Sequence, residues 1–80
     1  MASHTVTAPM PGVFYRRPTP EADPYVADGA SVAEGDVIGL IEVMKTFREV
    51  KADAAGTVSA WKVENEDEVS IGQELVELDT

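Results

Sequence analysis

A chain of 80 residues is one domain, and with 44% hydrophobic residues it can build a modest core. The lack of cysteine excludes disulfides and thiolate metal sites, which fits a reducing compartment such as the cytoplasm. The formal charge of −9, with Arg16, Arg17, Lys45, Arg48, Lys51 and Lys62 forming no run, argues against nucleic-acid binding and against docking on an anionic membrane.

The opening Met1-Ala2-Ser3-His4-Thr5 has no basic segment followed by an apolar run, so it does not read as a signal peptide. No window repeats apolar residues at helical spacing over three turns. Five prolines and six glycines instead separate short runs rich in Val and Ile, a pattern of short strands and tight turns. In chain order the predicted strands are His4 to Ala8, Gly12 to Arg16, Val37 to Val43, Thr46 to Ala52, Thr57 to Val63 and Glu74 to Leu78. Short pairings are expected around Val26, Val32 and Val69. The longest apolar stretch, Val37 to Ile41, is too short to span a membrane, and the chain reads as soluble.

The chain repeats itself. Ala8-Pro9-Met10-Pro11-Gly12-Val13-Phe14 is echoed by Ala52-Asp53-Ala54-Ala55-Gly56-Thr57-Val58, and Val32-Ala33-Glu34-Gly35-Asp36-Val37-Ile38 by Val69-Ser70-Ile71-Gly72-Gln73-Glu74-Leu75. Two similar halves suggest a pseudo-two-fold fold in which two like sheets each bury one face. Gly12 and Gly35 lie 23 positions apart, whereas Gly56 and Gly72 lie 16 apart, so the first half carries seven extra residues. The obvious place for them is the proline-rich stretch Arg17-Pro18-Thr19-Pro20-Glu21-Ala22-Asp23-Pro24. Proline cannot donate to a central strand and stiffens a loop, so this segment should protrude rigidly. Such a loop is either an indifferent connection or something that touches a ligand.

Between the halves lies Glu42-Val43-Met44-Lys45-Thr46, with no Gly, Pro, Asn or Asp to make a turn. If the flanking strands pair as a hairpin, Met44-Lys45 must be the two-residue turn, where φ > 0 and Asn-Gly are favoured. A locally broken rule in a consistent sequence marks a place where function is expected. The functional reading projects Lys45 so that its amine can be modified; the plain reading is an ordinary solvated lysine, with Met44 partly covering the core. Phe47 and Val50, three apart, predict a bulge or a face switch in the following strand.

These residues resemble biotin carboxyl carrier proteins, whose acceptor motif is usually Glu-Ala-Met-Lys-Met. Ala8 to Arg16, Gly35-Asp36 and Gly56-Thr57-Val58 also match, and the similarity runs from about Val6 to Leu78. The resemblance implies one biotinyl domain over residues 1–80: an all-β flattened barrel or sandwich of two four-stranded antiparallel sheets, with the acceptor lysine at a hairpin tip. It implies that Lys45 takes covalent biotin and that Glu42, Val43, Met44 and Thr46 form the turn a biotin protein ligase recognises. The insertion resembles the thumb of acetyl-CoA carboxylase carriers, so Arg17, Pro18, Thr19 and Pro20 are candidate biotin contacts. Implied partners are the ligase, a biotin carboxylase and a carboxyltransferase, with the carrier itself non-catalytic.

Three departures stand out. Val43 replaces the usual Ala and Thr46 the usual Met or Leu, where both bear on how efficiently a ligase would load Lys45. Arg17 replaces a usual Thr, so no hydroxyl contact to biotin is carried over there. The longer relatives' N-terminal segment and linker have no counterpart, so the chain reads as a stand-alone carrier or an excised domain. The rivals are a lipoyl carrier, whose motif would place Asp and Ala at positions 44 and 46, a carrier of a carboxylase with an acceptor other than acetyl-CoA, and a plain binding module in which Lys45 is never modified. Trp61 reads as packing, the acidic run Glu64-Asn65-Glu66-Asp67-Glu68 as a solvated loop, and His4 as no metal ligand. Nothing pairs a nucleophile with a base, so no catalytic site is expected.

Overall fold

The runs of β-branched residues form strands because such side chains pack well on a pleated, half-buried surface. The computed structural model describes residues 2–80 and contains eight strands among them. They are β1 (Ser3–Thr7), β2 (Gly12–Tyr15), β3 (Ser31–Val32), β4 (Val37–Val43), β5 (Thr46–Lys51), β6 (Gly56–Trp61), β7 (Asp67–Val69) and β8 (Glu74–Asp79). One sheet has the order β1-β8-β6-β3 and the other β5-β4-β2-β7, with every pairing antiparallel. The all-β class is as the strand pattern predicts, and the two four-stranded sheets are as the resemblance implies.

The two-fold relation is visible in the strand order itself. The strand four places along the chain from each of β1, β8, β6 and β3 occupies the same position in the other sheet. The correspondence reaches single hydrogen bonds. In the first half Gly35 N–H donates to Ala52 O, and Ala33 N–H to the Asp36 carboxylate; in the second Gly72 N–H donates to Ala8 O, and Ser70 N–H to the Gln73 side chain. Gly35 and Gly72, the matched glycines of the repeat, both have positive φ, at 93° and 81°. Each half also carries the same bulge. The register slips across Ile38 in β4, and across Leu75 in β8, its repeat equivalent. A bulge turns two successive residues inward, which is why Ile38-Gly39 and Leu75-Val76 are all buried.

The core lies between the sheets, and Phe14, Ile38, Ile41, Leu75, Val76 and Leu78 are its fully buried large side chains. Phe14 fits only because β4 has a glycine beneath it: a Cβ on Gly39 would stand 2.5 Å from Phe14 Cζ and 2.8 Å from Tyr15 O. The inner face of β2–β4 is thus fixed by Phe14, which leaves Tyr15 and Glu42 to the outer face.

Two expectations fail here. Val26 is buried but lies in a bend rather than a strand. The neighbouring Tyr25 N–H closes the loop base onto Arg16 O, and Arg16 itself donates to Val26 O, so a pair of isolated bonds replaces a ladder. The irregularity predicted between Phe47 and Val50 is also absent from β5, which pairs without a slip from Thr46 to Val50. Positions three apart face opposite sides of a regular strand, so Val50 is buried while Phe47 is exposed outside. The bulge sits on the partner strand β4 instead. The other predicted strand ends lie within two residues of those observed.

Gly39→Ala should overpack the core. We expect a loss of about 1–3 kcal/mol in denaturant unfolding, with Gly72→Ala, where no atom lies near, failing through φ strain and not through packing. A second-site Phe14→Leu should recover part of the loss in Gly39→Ala and none in Gly72→Ala.

Candidate functional site

Val43 pairs with Thr46, so the β4–β5 connection has two residues, Met44 and Lys45, with φ of 49° and 65°. Positive φ at both central positions is the type I′ signature that matches the right-handed twist of the strands. Neither residue suits it: each Cβ in this region costs about 1–2 kcal/mol. Residues 44 to 49 are all exposed, and Met44 is 93% exposed. Met44 therefore does not cover the core, contrary to the plain expectation. A turn this tight points its side chains away from the sheet, beyond the reach of core contacts.

The tip and the chain ends lie at opposite ends of β5. The strand runs from Thr46 at the tip to Lys51, roughly 20 Å for its six residues. At its far end His4, next to the N-terminal residues, approaches Asp53, with Nε2 2.7 Å from Oδ1. Ser3 pairs there with Asp79.

The outer face next to the tip carries an aromatic pair. Glu42 lies across from Phe47 on β5. The Tyr15 ring sits 6.2 Å from the Phe47 ring at 51°, and the Tyr15 hydroxyl donates to Glu42 Oε1 at 3.0 Å. That hydrogen bond, desolvation and the nearby charges of Glu42 and Glu66 hold the Tyr15 phenol above its ordinary 10.0. The hydroxyl thus holds Glu42 in place on the outer face.

The proline-rich loop folds beside this pair. Ala22 N–H donates to Thr19 O, and Arg17 Nη1 approaches Ala22 O at 3.4 Å, closing the loop on itself. Its base is held by Arg16. The Arg16 N–H donates to Asn65 Oδ1 at 2.7 Å and its guanidinium reaches Asp28 at 3.0 Å. The same guanidinium stacks 4.3 Å over the Trp61 ring, which lies 6.0 Å from Phe14. Trp61 thus packs against the core and also carries the loop base. Between the loop, Tyr15, Phe47 and the β6–β7 turn lies a groove of about 300 Å³, to which Arg17, Pro18, Thr19, Pro20, Asn65 and Glu66 contribute. A larger recess of about 440 Å³ lies against β6 and is lined by Arg16, Asp28, Ser59 and Trp61. It does not include Tyr15 or Phe47, so of these two the smaller groove is the one beside the outer face near the tip.

The candidate residues accordingly fall into two sets on one sheet. Glu42, Val43, Met44, Lys45 and Thr46 form the tip, and Arg17, Pro18, Thr19 and Pro20 form one wall of the groove. Sequence reading missed the other wall: Tyr15, Phe47, Asn65 and Glu66. Strand alternation was a usable signal for Tyr15, since its neighbour Phe14 is a core residue. The acidic run is only partly a solvated loop, because Asp67 to Val69 pair as β7 and Asn65 anchors Arg16. Among the described residues no group of three or more His, Cys, Asp or Glu could hold a metal ion, and no helix is long and apolar enough to cross a membrane.

The family described as biotin-requiring enzymes matches residues 4–78. The biotin carboxyl carrier protein of acetyl-CoA carboxylase from Haemophilus influenzae is 38% identical over 76 residues, 95% of this chain and 49% of that protein. The corresponding protein from Pseudomonas aeruginosa is 36% identical over 72 residues, 90% of this chain and 46% of that one. The chain thus spans about half the length of these relatives. Among solved structures, the Kluyveromyces lactis urea carboxylase aligns with a TM-score of 0.79 and 26% identity over 99% of this chain and 6% of that one.

If the tip is strained as its φ values indicate, Met44→Asn should stabilise the protein by about 1 kcal/mol, since Asn tolerates this conformation. Thermal unfolding measures it; an unchanged or lowered midpoint contradicts the strain.

Proposed function

The chain belongs to the biotin-requiring enzyme family, and on that premise we propose that Lys45 carries biotin in amide linkage and that the protein acts as a carboxyl carrier. The observation that carries the reading is the exposed lysine on a strained two-residue turn at the centre of the two-fold repeat. The assembly we propose is a multi-subunit acetyl-CoA carboxylase in the cytoplasm. Its partners are a biotin protein ligase, a biotin carboxylase and a carboxyltransferase. The names of the relatives and the thumb-like loop support this choice.

The residues fit the group. The aromatic pair Tyr15–Phe47 and the rings of Pro18 and Pro20 offer an apolar wall for a fused bicyclic sulfide, while Arg17, Asn65 and Glu66 offer polar atoms for a urea. Bound biotin supplies a ureido nitrogen that takes up and gives up a carboxyl group. Everything else falls to the chain. A ligase presents biotin as its acyl-adenylate, and the Lys45 amine attacks the acyl carbon. The N–C bond forms, the C–O bond to phosphate breaks, AMP leaves and the nitrogen sheds its proton. The attacking amine must be neutral, and no described residue at the exposed tip serves as a base for it, so the deprotonation falls to the ligase. The turn supplies only exposure and direction. Amide formation makes the protein one unit more negative.

After loading, Lys45 acts as a flexible stem on a rigid base. The tip fixes where the stem starts, and the stem's rotatable bonds let the ring visit one active site and then another. The contribution is effective concentration, with no transition state stabilised by the carrier. The loop gives the ring a resting place between visits, out of bulk water.

Co-expression with a biotin ligase should yield a single biotinyl adduct in the intact mass, absent from Lys45→Arg. A folded protein that gains no adduct from a ligase active on a control carrier contradicts the reading. So does an adduct that survives in Lys45→Arg. An adduct formed only by a lipoyl ligase would transfer the chain to lipoate chemistry.

A further inference from the structure

Among the described residues, the third non-glycine position with positive φ is Glu66, at 72° in the β6–β7 turn. The hairpin register forces Met44 and Lys45 into this region, but no chemistry of the turn calls for a glutamate. The turn closes without its side chain: Glu64 N–H donates to Asp67 Oδ2 at 2.8 Å and Asp67 N–H to Glu64 O at 3.2 Å. Glu66 contributes its own N–H, which donates to Phe14 O at 2.6 Å. Glycine would make that same bond without a Cβ in the unfavourable region. A strained backbone held without structural return points to a use for the side chain.

The side chain borders the thumb groove. Among the residues that line it, Glu66 is the one carboxylate. It takes part in neither of the ion pairs among the described residues, His4–Asp53 and Arg16–Asp28. Its charge is felt at the Tyr15 hydroxyl, which places the two groups on the same rim. The one cation among the lining residues is Arg17, whose Nη1 is directed at Ala22 O.

We propose that Glu66 is a positioning residue for the tethered ring, its carboxylate accepting an N–H bond from the cyclic urea of biotin seated in the groove. The inference rests on the reading that Lys45 carries biotin. A cyclic urea presents N–H donors on its edges and a carbonyl acceptor between them. A carboxylate is the acceptor that binds N–H most strongly, and Arg17 on the same groove is a donor suited to the carbonyl. A dithiolane ring has no N–H to give, so this wall would distinguish a urea from lipoate.

The test is hydrogen exchange at the ureido N–H groups of biotin attached to the whole chain, followed by NMR with free biocytin as reference. In the wild-type protein one N–H should exchange roughly tenfold more slowly than in biocytin, as one charge-assisted hydrogen bond implies. Glu66→Gly should bring exchange back to the biocytin rate while raising the melting temperature, because the strain is removed. Glu66→Gln, which keeps a weaker acceptor, should keep part of the protection. A merely structural Glu66 predicts the opposite pairing, with lower stability and unchanged protection in Glu66→Gly. Full protection in Glu66→Gly, or none in the wild-type protein, overturns the proposal. Intact mass is read first: a chain that takes no biotin fails the carrier reading itself, and the role of Glu66 falls with it.

Discussion

Val43 pairs with Thr46, and that pairing leaves Met44 and Lys45 no path between the strands except a tight turn with both φ positive. The register is not negotiable. A slip by one residue would turn Ile41 and Val50 outward and Glu42 and Phe47 into the core. The burial of β4 and β5 therefore holds the turn in a conformation that its own residues disfavour. The outcome is a lysine whose starting point and direction are set by the core, although its side chain touches none of it.

The two-fold scaffold explains why this happens only once. Both halves share strand order, the bulge at Ile38 and Leu75 and the turn hydrogen bonds of Gly35 and Gly72, whereas the slip across Ser59 in β6 has no counterpart in β2. The hairpin joins β4 to β5, whereas the equivalent ends of β8 and β1 are not joined to each other and meet at Ser3 and Asp79. The extra loop likewise breaks the symmetry in one half. Tip and loop end up on the same sheet, with Tyr15 and Phe47 between them. Arg16 anchors the loop base to Trp61 and Asn65, which belong to the other half of the repeat. A near-symmetric scaffold thus carries the tip and the loop on one of its two halves.

Much of this was legible in the sequence because strand burial imposes alternation and turns impose glycine. The repeat gave the symmetry, and its mismatch of seven residues located the loop. The missing turn residues between Val43 and Thr46 located the tip. What escaped depends on partners across the sheet. Val26 looks like a strand residue because it is apolar, yet an isolated anchoring contact is enough to bury it. Phe47 looks like core, but alternation from Val50 puts it outside, where it stands exposed beside Tyr15. Met44 looks like a cap on the core and instead stands in solvent. Glu66 carries no sequence signal, since only its φ and the groove single it out.

On the proposed reading, the geometry of the tip, and not simply a lysine near it, makes Lys45 the acceptor. The most direct test exchanges the two turn residues, Met44→Lys with Lys45→Met, leaving composition, charge and turn length unchanged. Ligase-driven biotinylation of this variant is then measured against the wild-type protein, with circular dichroism to show that both are folded. If tip geometry decides, the displaced lysine takes no biotin under conditions that load Lys45 fully. Equal loading of the two proteins would contradict it.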